Sequence, residues 1–104
     1  MSPRELLHQL PSVFNKVAAG PLRCTIQFIA SESAYVTVAD GTCTVCDGTA
    51  PDADLVVTLS DKYLVELLKG KLNPAIGLML RKLKAEGNLD LGMSLTSLFD
   101  FSKL

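Results

Sequence analysis

The fold is set by the stretch AYVTVADGTCTVC, residues 34–46. Apolar Ala34, Val36 and Val38 alternate with other residues, which is the period-two pattern of a half-buried strand. Asp40-Gly41 then supplies a tight hairpin turn, because both central positions of that turn favour positive φ. The stretch therefore predicts two adjacent antiparallel strands.

Similar alternation predicts further strands on both sides of this hairpin, so the chain is predicted to be an α+β protein with five strands. The additional strands cover residues 22–28, 55–59 and 82–86. Pro, Ser and Asn residues mark the helix starts between them. The predicted helices begin at Ser2-Pro3, Ser60 and Asn73-Pro74, with a short amphipathic stretch over 13–17 and a last helix over 91–99.

Composition and charge exclude several classes of protein. The chain has 104 residues, of which 48% are hydrophobic and 20% charged, so we expect one domain and not a disordered chain. A net charge of -1 argues against a nucleic-acid protein held by phosphate contacts. The first residues lack the apolar region of a signal peptide, and no apolar run approaches the roughly 20 residues of a membrane span.

The three cysteines, Cys24, Cys43 and Cys46, are interpreted as packing residues in a reducing compartment. Cys43 and Cys46 have C-x-x-C spacing, but they fall on a predicted strand, where residues three apart lie on opposite faces. No second pair of Cys or His residues completes a zinc site. We therefore expect no metal and no cofactor.

Catalytic residues are scarce. His8 is the single histidine and is interpreted as a surface residue of the first helix. Asp52 and Asp54 are carboxylates two residues apart, but they are better explained as keeping the start of a strand solvated. No nucleophile elbow, phosphate-binding loop or dinucleotide-binding motif occurs, so the sequence does not favour an enzyme.

The second half of the chain contains an excess of aliphatic residues. They are Leu72, Ile76, Leu78, Met79, Leu80, Leu91, Met93, Leu95, Leu98 and Phe99. From the residues alone an ordinary filled core is the favoured interpretation, but periodicity does not distinguish it from a cavity that admits an acyl chain. A cavity with so few polar groups would suit a lipid held by burial, at about 0.8 kcal/mol per CH2.

Four segments of this half closely resemble the sterol carrier protein two family, the non-specific lipid-transfer proteins. They are LSD at 59–61, LKGKLNP at 68–74, KLKAEGN at 82–88 and LGMSL at 91–95. The resemblance implies a largely antiparallel five-stranded sheet, with helices covering one face and an apolar tunnel for fatty acyl chains, acyl-CoA or sterols. It implies a lipid-binding domain over 1–100, followed by a tail at 101–104, and no catalysis by this domain.

On this resemblance and the helical faces, we predict a set of ligand-binding residues. They are Leu68, Leu72, Ile76, Met79, Leu80, Leu91, Met93, Leu95 and Phe99. The chain departs from the family at Leu80-Arg81, where a polar residue and Gly are common, so the turn and the nearby tunnel mouth are expected to differ. Two functions stay open: a non-enzymatic lipid carrier, or an accessory module that presents acyl-CoA to a partner enzyme or simply binds that enzyme.

A group of basic residues lies in the same half. It consists of Lys69, Lys71, Arg81, Lys82 and Lys84. These residues are interpreted either as a solvated surface or as a transient contact with anionic membranes during lipid exchange.

The last three residues, Ser102-Lys103-Leu104, match a peroxisomal targeting tripeptide. The family includes peroxisomal members with similar endings. We therefore expect binding to a peroxisomal import receptor and a peroxisomal location if the source is eukaryotic, and a cytoplasmic location otherwise.

Overall fold

The computed structural model describes residues 3–103, without the side chains of Thr96 and Ser102, and its centre is a five-stranded sheet. The strands are β1 (Cys24–Ile29), β2 (Ala34–Ala39), β3 (Thr42–Asp47), β4 (Leu55–Leu59) and β5 (Leu83–Gly87). Their order is β3-β2-β1-β4-β5. β1 and β4 are parallel and the other neighbouring pairs are antiparallel, which confirms the predicted largely antiparallel sheet.

Capping residues start the helices, as the sequence predicts. The helices are α1 (Pro3–His8), α2 (Lys16–Ala19), α3 (Asp61–Leu68), α4 (Pro74–Met79) and α5 (Leu89–Leu98), with 3-10 turns at Leu10–Val13 and Phe101–Lys103. Ser60 Oγ accepts a hydrogen bond from the backbone N of Tyr63, and Asn73 Oδ1 accepts one from Ala75 N. Ser2, the predicted cap of α1, lies outside the described residues.

Two helical segments differ from the prediction. The final helix begins at Leu89 and not at Leu91, because Asn88 caps it by accepting a hydrogen bond from Asp90 N. The stretch over 13–17 contributes only the last residue of a 3-10 turn and the start of α2. Within residues 3–103 no helix has the length and apolar character to cross a bilayer.

The helices cover one face of the sheet. Along β1 and β2 the alternate residues Ile26, Phe28, Val36 and Val38 are buried, and they join the leucines of the helices in one core. On β2 the residues between them, Tyr35 and Thr37, are half-exposed and lie on the open face. Burial of one face explains the alternation that the sequence displays.

A loop over residues 48–54 connects β3 with β4 and crosses the open face above Gln27. This side chain is only 2% exposed. Its Nε2 donates to the carbonyl oxygens of Gly48 and Ala34 at 3.0 and 3.1 Å, and its Oε1 accepts from Ala50 N at 2.6 Å. The buried amide therefore satisfies backbone groups of a loop that has no secondary structure of its own.

The two ends of the described chain pack against each other. Phe14 and Phe99 form a β-bridge, and their ring centroids are 5.6 Å apart. The predicted tail begins at Phe101, whereas in the structure Phe101 is 7% exposed and stacks on Phe99 with centroids 6.1 Å apart. The first residue of the predicted tail therefore packs against the core. Leu104 of the predicted targeting tripeptide lies outside the described residues, and Lys103 is exposed.

Candidate apolar binding site

An apolar cavity lies between the β4–β5 side of the sheet and helices α4 and α5. Its volume is about 20 Å³, which is room for about one water molecule. Its lining consists of Val57, Leu67, Pro74, Leu78, Leu83, Ala85, Leu89, Gly92, Met93 and Leu95. No side chain of this lining is titratable, so the site suits hydrocarbon and disfavours polar groups.

Strand and helix periodicity bring these side chains together. Val57 of β4 pairs directly with Ala85 of β5. Leu83 lies two residues before Ala85 and therefore shares its face. On α4, Pro74 and Leu78 are four residues apart and lie on one side of the helix.

Two of the nine predicted ligand-binding residues, Met93 and Leu95, line the cavity. The predicted residues that are buried in the core outside this lining are Leu68, Leu72, Leu91 and Phe99. The predicted residues that are exposed are Ile76 (52%), Met79 (78%) and Leu80 (58%). At this place the described chain has a small, partly enclosed apolar cavity.

The rotation of α4 explains why its predicted residues face outward. A helix turns by about 100° per residue, so Ile76 lies about 200° from both Pro74 and Leu78, which face the cavity. Because almost the whole of α4 is apolar, its sequence does not reveal which side is buried. The strand residues of the lining are absent from the predicted set, although the alternation around Val57 and Leu83 is a usable signal for them.

An open groove of about 370 Å³ adjoins the cavity along β5. Leu78, Leu83 and Ala85 line both spaces. The remaining lining of the groove is charged and consists of Arg81, Lys84 and Glu86. The apolar site thus has a mixed charged border on its solvent side.

Two residues of the predicted basic group, Arg81 and Lys84, belong to this border. Lys69, Lys71, Arg81 and Lys84 are exposed. Lys82 is half-buried, and its Nζ lies 5.5 Å from the centroid of the Tyr63 ring. None of the five basic side chains forms a salt bridge with another residue of the range 3–103.

The other candidate polar residues have structural partners. His8 Nε2 lies 2.8 Å from Asp47 Oδ1, and this hydrogen bond lowers the pKa of the Asp47 carboxyl. Asp54 Oδ2 accepts a hydrogen bond from Thr25 N at 2.8 Å, so this carboxylate ties the start of β4 to β1, whereas Asp52 is exposed. Neither histidine nor aspartates lie in the lining of the apolar cavity.

The cysteines occupy the sheet as predicted. Cys43 pairs with Val38 and Cys46 with Tyr35, so the two thiols lie on opposite faces of β3. Burial raises the pKa of the Cys43 thiol to about 11. The part of the chain that the structure describes contains no group of three His, Cys, Asp or Glu residues suited to a metal ion.

A scan against protein families matches residues 5–100 with a family described as the SCP-2 sterol transfer family. Sterol carrier protein 2 of Rattus norvegicus is 38% identical over 63 residues, which is 61% of this chain. The chain covers only 12% of the length of that relative.

Two solved structures show the same fold. Sterol carrier protein 2 from Yarrowia lipolytica, in its apo form, has a TM-score of 0.71 and 25% identity, over 95% of this chain and 88% of that one. A stereoselective inverting sec-alkylsulfatase, Pisa1 from Pseudomonas sp., has a TM-score of 0.83 and 21% identity. That match covers 100% of this chain but 17% of the sulfatase.

Proposed function

The chain belongs to the SCP-2 sterol transfer family, and from this premise we propose that it binds a fatty acyl chain, an acyl-CoA or a sterol and carries it without chemical change. The observation that supports this most is the lining of the cavity, which is apolar on every side. Hydrocarbon buried there would be stabilised by about 0.8 kcal/mol per CH2.

The polar head of such a lipid would remain in the adjoining groove. Leu78, Leu83 and Ala85 connect the cavity with that groove, where Arg81 and Lys84 offer positive charge. A carboxylate or phosphate would find two cations and one carboxylate, Glu86, at this border, whereas a sterol hydroxyl would face water.

The bound state requires a larger cavity than about 20 Å³, and we assign the movement to α4. This helix has only six residues, Pro74–Met79, of which Pro74 and Gly77 are buried. A short helix with few buried side chains opens at low free energy. An entering acyl chain would displace α4 and occupy the space behind Leu78.

A cavity-filling variant tests the site. Ala85→Leu adds three carbons to the lining and should weaken binding of a fluorescent fatty acid at least tenfold in vesicle-free solution, because about 1.6 kcal/mol is lost when two CH2 groups are excluded. Ala39→Leu is the matched control, since Ala39 is also half-buried on a strand but lies on the open face.

Cooperative urea unfolding must be retained by both variants. Equal fatty-acid affinity of folded Ala85→Leu and Ala39→Leu would contradict binding in this cavity. Organic extraction of gently purified protein, followed by lipid mass spectrometry, then identifies the class of lipid.

A second function is supported by the match to Pisa1, in which this fold is a small part of a larger enzyme. As an accessory module the chain would present acyl-CoA to an enzyme or simply bind that enzyme. A stoichiometric extracted lipid favours the carrier, whereas an empty protein that associates stably with one enzyme favours the module.

We also propose peroxisomal import for a eukaryotic source in which Ser102-Lys103-Leu104 ends the protein, since this tripeptide is read with a free carboxylate. A reporter that carries residues 101–104 at its end should become punctate with a peroxisomal marker. Deletion of Leu104 should return it to the cytosol. Diffuse fluorescence of the intact reporter would contradict the targeting and leave the lipid-binding proposal unaffected.

A further inference from the structure

Exposed apolar side chains are concentrated at one end of the molecule. Of the seven large apolar side chains exposed within residues 3–103, five lie on α4, α5 or the residue after α4. Ile76, Met79 and Leu80 form the part that we call the α4 tip, and Leu89 and Met93 on α5 are each 45% exposed. Such a cluster marks an interaction surface more often than isolated exposed residues do.

Basic residues border the α4 tip. Lys71 precedes α4, and Arg81 and Lys84 follow it, so these three exposed residues form what we call the basic flank. No residue of the basic flank has a salt-bridge partner among the described residues. Glu86 is the carboxylate in the groove that Arg81 and Lys84 line. The chemistry is that of an apolar surface with more basic than acidic residues beside it, which complements anionic lipid headgroups above a hydrocarbon interior.

At the end of α4, Arg81 occupies a position whose positive φ favours glycine. Arg81 has a φ of +59°, and Lys82 N donates to Gly77 O at 2.8 Å. The end of α3 uses the same arrangement with Gly70, whose φ is +74°, and Lys71 N donates to Glu66 O at 2.8 Å. Glycine is the favoured residue at this position of a helix end.

The Arg81 side chain is exposed and lies at the groove along β5. It forms no salt bridge with a described residue and lies outside the buried core. A positive charge therefore lies at a position where the backbone favours glycine, and residues in such uncommon conformations cluster at binding sites.

We propose that the α4 tip and the basic flank dock the protein on anionic membranes. In this arrangement the side chains of Ile76, Met79 and Leu80 enter the bilayer interface, and Lys71, Arg81 and Lys84 contact lipid phosphates. Leu78 of the same helix lines the cavity, so docking places one wall of the lipid site next to the membrane. The inference rests on the proposed lipid-binding function and adds the partner surface.

Co-sedimentation with vesicles tests the docking. The full chain should bind vesicles of phosphatidylcholine with phosphatidylglycerol and bind pure phosphatidylcholine vesicles weakly. Met79→Glu should lower binding to the anionic vesicles at least tenfold. Val17→Glu is the control, because Val17 is 88% exposed on α2, outside the α4 tip, and its replacement should leave binding unchanged.

Arg81→Gly separates a binding role from a structural one. The variant should unfold at a higher urea concentration, because glycine relieves the positive φ, yet it should bind anionic vesicles about fivefold more weakly, as expected for loss of about 1 kcal/mol per cation. A variant that is more stable and binds equally well would overturn the role of Arg81.

A tryptophan probe reports insertion directly, since the chain contains no Trp. The emission of Met79→Trp should shift to shorter wavelength on anionic vesicles and be quenched by brominated lipids. Unchanged emission on those vesicles, or equal vesicle binding of Met79→Glu and Val17→Glu, would overturn the docking. Fatty-acid binding in vesicle-free solution is measured separately, so a protein that binds fatty acid but no vesicle refutes only the docking.

Discussion

At the scale of single residues, Gln27 shows how one buried amide holds a loop in place. Its position alternates with Ile26 and Phe28, so its side chain points to the open face of the sheet and not to the core. The loop over residues 48–54 covers it there, and backbone groups of Gly48 and Ala50 bind its amide. The Gln27 amide therefore provides hydrogen-bond partners for loop backbone groups that have none in a helix or strand.

Gln27→Leu should therefore lower the free energy of unfolding by about 2 kcal/mol or more, because buried backbone groups lose their partners while the volume of the side chain is kept. Urea unfolding measures the change. Thr37→Val on the same open face is the control and should change stability by less than about 0.5 kcal/mol. Equal stability of Gln27→Leu and wild type would show that the amide is not needed by the loop.

Gly87 and Gly48 form a natural pair for a second residue-scale experiment. Their φ values, +105° and +100°, are nearly the same, but a Cβ on Gly87 would lie 2.3 Å from the carbonyl oxygen of Asp54, whereas Gly48 has open space. Gly48→Ala should cost about 1 kcal/mol through φ alone. Gly87→Ala should cost about 2 kcal/mol more, because the backbone has to shift. Equal melting temperatures of the two variants would refute the steric contribution.

At the scale of elements, Asp61 joins the start of α3 to the loop between β1 and β2. Its carboxylate accepts hydrogen bonds from Ser31 N at 3.0 Å and from Ser31 Oγ at 2.5 Å. These bonds lower the pKa of the Asp61 carboxyl from its ordinary value of 3.8. The charged form is thus favoured in the folded state, and the connection depends on pH.

The sign of this dependence follows from the lowered pKa. The stabilisation is present above the unfolded-state pKa of 3.8 and is lost as the pH falls through the lower folded-state pKa. Asp61→Asn should therefore unfold with a weaker dependence on acid pH than wild type. Asp52→Asn is the control, since exposed Asp52 makes no hydrogen bond with another described residue. The free energy of unfolding is measured from neutral to acid pH for each protein. The same pH dependence in Asp61→Asn and wild type would contradict the connection.

At the scale of the whole molecule, the two ends of the described chain close the core together. Asn15 N donates to Leu98 O at 2.7 Å, and Asp100 N donates to Val13 O at 3.0 Å. Phe101 completes the contact by packing on Phe99. Segments far apart in sequence are therefore one cooperative unit.

Phe101→Ala should destabilise the protein by about 3 kcal/mol, because it leaves a cavity beside Phe99. Lys103→Ala is the control in the same turn and should be nearly neutral, since the Lys103 side chain is 73% exposed. Both changes are read from denaturant unfolding. An unchanged free energy of unfolding in Phe101→Ala would indicate that the tail beginning at residue 101 does not contribute to stability.

The sequence by itself determined the local structure of this protein. The alternation of Ala34, Val36 and Val38, the Asp40-Gly41 turn and the caps Ser60 and Asn73 each act over a few residues, and the structure contains the elements that they predict. The resemblance of residues 59–95 to one family also predicts how those elements are arranged, and the largely antiparallel five-stranded sheet confirms that arrangement.

Only the tertiary structure decided which apolar side chains enclose the cavity. Because α4 is apolar on most of its surface, its pattern does not distinguish Leu78, which lines the cavity, from Met79, which is 78% exposed. The burial of Gln27 likewise depends on a loop that is distant in sequence. Periodicity predicts which side chains lie on the same face of one helix or strand. What that face contacts depends on how all the helices and strands pack together.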